Sequence, residues 1–365
     1  MKFFLFLMFG FALNLHAQTL VPFDDQHWLI NAREAIRDTL AGKNCIRLNN
    51  GTMLLKDTSF LNGTIDFDIA LSASRYFPGI GFRMKDAANG EVYYVRPHQS
   101  GNPDAMQYYP EFNGSGGWQL YYGQGFNQAR VLPVRRWIHI QMLVKGNQAE
   151  VYIDGEQEPA LFISSLKRTP SAGAIGLLNE DPVAAWYANF SYQKTDNVQF
   201  RTVAPPVAGL AKGMITSWLI SSPFDEKRIS GKYHLNTSDF SGLSWKNLQA
   251  DERGIADLSQ LAGAVAGKNT VIAKLEIHSD KAQLKRLSLG FSDRMKVFFN
   301  QQLIYSAEDD FLSRDYRFLG TIGLYDAVYL PLKKGSNEVW IAVSEDIGGW
   351  GLMAKLDDTS GATEP

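Results

Sequence analysis

Hydrophobic and polar positions alternate with a period of two along most of this chain, the period of a half-buried strand. Ile65, Phe67 and Ile69 alternate with Thr64, Asp66 and Asp68. Ile80, Phe82 and Met84 alternate with Gly81, Arg83 and Lys85, and Ile138, Ile140, Met142 and Val144 with His139, Gln141 and Leu143. Lys145-Gly146-Asn147 then turns the chain into Ala149, Val151 and Ile153, closed by Asp154-Gly155;. Residues 172–177 and 186–192 supply two more runs. Between Lys43 and Gln193 this amounts to roughly ten to twelve short strands, the count of a β-sandwich or jelly roll. No long amphipathic helix interrupts them.

A break follows. Val203-Ala204-Pro205-Pro206-Val207-Ala208-Gly209 carries paired prolines and then small residues, as a semi-rigid connector does;. Alternation resumes over 271–278, 284–291, 295–299, 302–305, 327–332, 338–344 and 351–355. Asn300-Gln301 is placed to turn a hairpin, and Lys334-Gly335-Ser336-Asn337 to turn the chain into Val339, Ile341 and Val343;. The expected fold class is all-β: two tandem β-sandwich or jelly-roll domains after a signal peptide. The expected division is a signal peptide over 1–17, a first domain over 18–197, a linker over 198–213, a second domain over 214–357 and a polar, disordered tail over 358–365.

Composition narrows the function classes. A chain of 365 residues with formal net charge −2 and no basic block lacks the electrostatic footprint of a nucleic-acid binder or a polybasic membrane anchor;. The 32 glycines suit a turn-rich β protein;. Met1-Lys2, an apolar run and Leu15-His16-Ala17 before Gln18 read as a secretory signal, too short for a span of about 20 residues;. Export to a periplasmic, cell-surface or extracellular location is expected, with no membrane span after cleavage. Cys45 is the single cysteine, so no intramolecular disulfide forms, and it reads as a small buried hydrophobe;. Asn50, Asn62, Asn113, Asn189 and Asn236 stand in glycosylation sequons that matter only in a glycosylating host;.

Residues 93–122 concentrate the candidate chemistry. Tyr93, Val95, Met106, Tyr108, Trp118, Leu120 and Tyr122 fall on one face of three expected strands and suit a core;. The other face gathers Tyr94, Arg96, His98, Gln107, Tyr109, Gln119 and Tyr121, with Arg83 from the preceding strand and room left above Gly79 and Gly81. Rings that stack on sugar faces and planar polar groups that hold hydroxyls make this a binding surface for a polysaccharide or glycoconjugate. A register slip of one residue would exchange the two sets. His98 beside Arg96 suits a neutral, hydrogen-bonding imidazole. Asp66 and Asp68 share a face at i, i+2, but the outward polar face of an ordinary strand accounts for them better than catalysis does. No His/Cys cluster supports zinc, and no cofactor is expected.

Trp137-Ile138-His139-Ile140-Gln141 followed by Val151-Tyr152-Ile153-Asp154-Gly155 resembles the paired strands of the concanavalin A-like lectin/glucanase superfamily, in its laminin-G-like branch. Residues 63–68, 79–83 and 185–190 resemble its early and closing strands, and the likeness covers about residues 20–195. The resemblance implies two curved antiparallel sheets, one concave, with a carbohydrate as the usual ligand. It leaves calcium open, because some laminin-G-like domains bind it. Residues 293–300, 330–339 and 348–351 resemble the galactose-binding-domain-like jelly roll appended to many glycoside hydrolases, over about 214–357. Ligand sites in such modules lie in loops, which here offer Asp309, Asp310, Arg314, Asp315 and Trp350, with solvated loop charge the blander account.

The sequence therefore points first to an exported, non-catalytic, lectin-like protein using the concave sheet of its first domain. A glycoside hydrolase, with Asp104, Glu111 or His98 as acid or base, is the second expectation. A structural or adhesion protein without a glycan ligand is the third.

Overall fold

Ladders of antiparallel strands account for nearly all regular structure in the computed structural model, which describes residues 18–205 and 209–363. The expected signal segment and positions 206–208 and 364–365 lie outside those residues. The first half forms a 14-stranded sheet. Its principal strands are β1 (Trp28–Leu40), β2 (Lys43–Leu55), β3 (Gly63–Ala70), β4 (Gly79–Asp86) and β5 (Asn89–Val95). They continue with β6 (Met106–Phe112), β7 (Trp137–Lys145), β8 (Gln148–Ile153), β9 (Ala174–Asn179) and β10 (Ala185–Lys194). Neighbours run in the order β8-β7-β3-β10-β2-β9-β4-β5-β6, with β1 paired to β2. A register shift in β10 between Ala188 and Ser191, with Asn189 at φ 48°, bends the ladder where β3 and β2 flank it;. The inward residues of each strand, among them Leu48, Phe67, Ile80, Tyr93, Tyr108, Ile140 and Tyr187, are buried in one core.

The period-two pattern sets which face looks away from that core. Leu178 of β9 lies opposite Gly79 of β4, Gly79 opposite Tyr94 of β5, and Tyr94 opposite Gln107 of β6. The next row is Gly176, Gly81, Val92 and Tyr109. Both rows turn their backs on the core, and above them stands the site described below.

The second half pairs a seven-stranded sheet with a four-stranded one. The larger contains Thr270–Ser279, Arg294–Phe299, Gln302–Glu308 and Gly335–Ser344, and the smaller Gln283–Phe291, Asp326–Leu332 and Gly351–Leu356. Trp218, Leu289, Phe291, Val297, Ile341 and Trp350 fill the space between them. Asn300 and Gln301 take φ 45° and 75°, the left-handed pair that a tight hairpin turn demands;.

The two halves share a seam. Ile255 and Ile322 of the second half enter the first core. The Tyr121 hydroxyl donates to Asp257 Oδ2 at 3.0 Å, and Asn113 Nδ2 to the Ser259 carbonyl at 2.8 Å. Lys167, nearly enclosed, reaches Asp251 at 2.7 Å and also pairs with Glu252.

Three expectations change at this level. Residues 118–122 do not form a third strand. Leu120 and Tyr121 both donate backbone N–H groups to Gly117, a tight turn that breaks the alternation and sends Tyr121, rather than Trp118 or Tyr122, into the core. The start of the expected linker is docked: Val198 packs with Leu143 and Tyr152, and the backbones of Arg201 and Thr202 donate to Glu150. The expected tail is ordered through Thr363, with Ala362–Thr363 pairing as a strand to His278 and Ser279. Strand β1, which the pattern did not announce, is exposed along most of its length, so no apolar alternation marks it.

Candidate functional site

A cavity of about 670 Å3 lies over the outward rows of β9, β4, β5 and β6. That falls within the roughly 300–1,000 Å3 typical of small-molecule sites. Strand β5 presents Val92 and Tyr94 to it, and Arg96 follows at the strand end, where its N–H donates to the Ala105 carbonyl at 2.7 Å. A short 3-10 turn, Pro97–Gln99, then carries His98 to the rim. Tyr109 and Glu111 of β6, Leu178 of β9, and Glu180 and Asp181 beyond it also line it from the first half. Phe311, Leu319 and Ile347 come from the second half.

Arg96 is the centre of this arrangement. Its guanidinium carbon lies 4.9 Å from the Tyr94 ring centre, 5.3 Å from Trp118 and 6.0 Å from Phe77. One amino group donates to the Asp104 carbonyl at 3.1 Å and sits 3.4 Å from its carboxylate. An arginine boxed by rings on its faces and tied to one carboxylate is held rigidly, and its remaining N–H groups keep the planar fork geometry that suits hydroxyl pairs. The rings brace one another: Tyr94 meets Tyr109 edge-on at 5.3 Å, and Phe77 meets His98 at 5.4 Å.

Electrostatics divide the cavity. Burial, reinforced by Arg75 and Arg96 nearby, lowers the His98 pKa, so its imidazole is neutral at physiological pH, and its Nδ1 finds no hydrogen-bond partner among the described residues;. Burial and the facing charge of Glu180 raise Glu111 to about 7, with Arg168 opposing them. Glu111 on β6 and Glu180 just beyond β9 come from strands three apart in the ladder, and both line the cavity. Gly116 makes room for this: a Cβ there would stand 2.8 Å from the Tyr109 ring and 3.1 Å from Glu111 Oε2.

Of the residues expected to hold a ligand, Tyr94, Arg96, His98 and Tyr109 line this cavity, as do Asp104 and Glu111 from the acid/base set. Arg83, Gln107, Gln119 and Tyr121 do not. Arg83 sits at φ 51° in a bulge that turns its side chain away to the Leu61 carbonyl, 2.7 Å from Nε, and to Asn62;. Met84 takes the vacated face, and its sulfur fills the room expected above Gly81. Gln107 is fully buried, accepting from the Tyr94 hydroxyl at 2.9 Å and donating to the carbonyls of Trp118 and Tyr121. It pins the turn that aims Trp118. Gln119 ties the halves together, and Tyr121 is the seam residue already described. Sequence reasoning missed Trp118, given to the core, and Arg75, Phe77, Glu180 and Asp181, which lie outside the strands it examined.

The other candidates lie elsewhere. Asp66 and Asp68 are buried beneath His139, Gln141, Lys43 and Asn189. Burial would raise Asp68, but hydrogen bonds from His139, Lys43 and Asn189 outweigh it and bring its pKa to about 2, while the two aspartates raise His139 to about 9. This is a satisfied ion cluster away from the cavity. Trp350, expected at a loop tip, is fully buried and donates to the Val343 carbonyl at 3.1 Å. Asp309 pairs with Arg314, which also holds Asp326, and Asp315 pairs with Arg317 at 3.0 Å. Among the described residues, no three His, Cys, Asp or Glu side chains gather as a metal site requires, and no helix is long and apolar enough to cross a membrane.

No family model and no curated protein matches the chain. Among solved structures, the chain is similar to the carbohydrate-binding module CBM66 from Bacillus subtilis. The two are 18% identical with a TM-score of 0.35, over 46% of this chain and 96% of that one. It is also similar to a Bacillus subtilis protein with a galectin-like fold, 11% identical with a TM-score of 0.32, over 44% and 86% of the two chains. A third likeness is to the Trypanosoma rangeli sialidase, at 12% identity and a TM-score of 0.31, over 47% and 27%. With TM-scores this low, the likenesses carry no argument about ligand or activity.

Proposed function

We propose that this is an exported carbohydrate-binding protein whose ligand occupies the cavity around Arg96. One observation carries the reading: a single guanidinium is boxed by Tyr94, Trp118 and Phe77 in a cavity that also presents the carboxylates of Glu111, Glu180 and Asp181. Sugar rings offer apolar faces for the aromatics and hydroxyl pairs for the planar polar groups, so both halves of this inventory have work in the same ligand. Export rests on the N-terminal signal pattern. In affinity electrophoresis through gels containing soluble polysaccharides, the mature protein is expected to be retarded by at least one of them. Trp118→Ala should run as it does in a plain gel; equal retardation of the two proteins would remove the site.

A second reading, glycoside hydrolysis, is favoured by Glu111. A carboxyl raised to about 7 keeps its proton near neutrality, as a general acid must, and Glu180 across the cavity could serve as the base that activates water;. Asp104, tied to Arg96, is less suited to that work. Release of reducing ends from a polysaccharide panel, abolished in Glu111→Gln, would establish hydrolysis; no release from any member would leave binding alone.

A further inference from the structure

We infer that the second half of the chain completes the ligand site, and that its wall selects glycosides carrying an apolar group next to the bound sugar. The inference rests on the carbohydrate reading above and deepens it. The first half supplies both polar and apolar lining, the latter including Met84, Val92 and Leu178, whereas the second half supplies apolar lining alone. The cavity's charged groups, Arg75, Arg96, Asp104, Glu111, Glu180 and Asp181, all belong to the first half, as do its neutral polar ones. The second half contributes Phe311, Leu319 and Ile347, each of them apolar.

Two of these three are conspicuously uncovered. Phe311 is 42% and Ile347 62% exposed, although each abuts a cavity that could shelter it. A large apolar side chain left open beside a pocket gains from whatever apolar surface enters that pocket. A lone monosaccharide would engage the Arg96 box and leave this wall wet. A sugar bearing an aromatic or alkyl group at its anomeric oxygen would place hydroxyls on the polar side and the apolar group against Phe311 and Ile347. The cavity, at about 670 Å3, is of the size that encloses drug-sized ligands, with space for both parts;.

The wall is also fixed in place. The Gln119 backbone N–H donates to the Gly348 carbonyl at 2.8 Å, its carbonyl accepts from Ile322 N at 3.1 Å, and its side chain donates to the Leu319 carbonyl at 2.7 Å. These bonds hold Leu319 itself and the residue after Ile347 from the residue next to Trp118, and Leu312 N, beside Phe311, donates to the Phe318 carbonyl at 2.9 Å. The site's aromatic side and its apolar wall are thus set by one turn, and a preorganised wall can discriminate where a floppy one would adapt.

The test compares methyl and 4-nitrophenyl glycosides of the same sugars, titrated by calorimetry into the full mature chain, with free 4-nitrophenol as control. For a sugar that binds, the 4-nitrophenyl form should bind about tenfold more tightly than the methyl form. A Phe311→Ser, Ile347→Ser double variant should bind the methyl and 4-nitrophenyl forms with equal affinity, at an unchanged melting temperature. Equal affinities for the two forms in the wild type, or an advantage that survives in the double variant, would overturn the inference while leaving sugar binding intact. Binding of 4-nitrophenol as tight as that of its glycosides would instead refute the carbohydrate reading and keep the wall. Binding of no probe would refute both.

Discussion

The Arg96 guanidinium lies 4.9 Å from the ring centre of Tyr94, two positions before it, where β5 ends. The alternation of a strand makes that pair neighbours, and the turn that follows β6 brings Trp118 to 5.3 Å from the same guanidinium. Replacing Arg96 by Lys keeps the charge and discards the planar fork and its stacking. Arg96→Lys should weaken glycan binding about tenfold with little loss of stability. Arg96→Ala, which leaves the buried Asp104 carboxylate unpaired, should cost about 3 kcal/mol of unfolding free energy as well. Denaturant unfolding beside ligand titration separates the two effects; equal loss of binding in both variants with no loss of stability would mean that the pair with Asp104 is immaterial.

Gln119 provides a contrast. Its side chain bonds the Leu319 carbonyl across the seam, so truncation leaves a buried acceptor unsatisfied, a cost of about 1–3 kcal/mol;. Gln119→Ala should lower the unfolding midpoint and speed proteolysis of 311–319. A variant of unchanged stability that has lost only ligand affinity would restore Gln119 as a direct ligand contact.

Gly348 makes the seam tight enough to be tested by one methyl group. It sits at φ 102°, and a Cβ there would stand 2.0 Å from Gln119 Oε1. Gly348→Ala should destabilise the protein by about 2 kcal/mol or more through backbone strain and this clash. A melting temperature equal to that of the wild type would show that the halves do not meet as described.

Glu111 should make the site sensitive to pH. Burial and Glu180 raise its pKa from 4.5 to about 7, so its contribution to stability is full below about pH 4.5 and is lost as pH rises through about 7;. Sugar hydroxyls that donate to the carboxylate favour its ionised form, so neutral-sugar affinity should rise between pH 6 and 8, with a proton released on binding. Calorimetry in buffers of different ionisation enthalpy measures that proton. Glu111→Gln should abolish both the release and the pH slope; a slope unchanged in the variant would assign the titration to another group.

Much of the fold could be read from the period-two pattern, because a strand with one buried face writes its register into the sequence. Strand β3 runs from Gly63 to Ala70, as the alternation of Ile65, Phe67 and Ile69 demands, and Tyr94, Arg96 and Tyr109 reach the outward face the same rule assigns them. The rule failed where local geometry broke the period. A positive φ at Arg83 rotated the face by one residue and exchanged Arg83 for Met84. A turn at 117–121 did the same to Trp118 and Tyr121. Neither departure leaves a mark in composition, since Arg83 and Trp118 are ordinary strand residues. Glu180, Asp181 and the apolar wall were illegible for another reason: only the fold brings residues 180, 311 and 347 to the strand that carries Arg96.

A glycan array probed in parallel with the wild type and with Trp118→Ala tests the central claim most directly. The account predicts a restricted set of glycans bound by the wild type, and the loss of that set in the variant at unchanged melting temperature. A wild type that binds no glycan, or a variant that binds the same set as strongly, would contradict it.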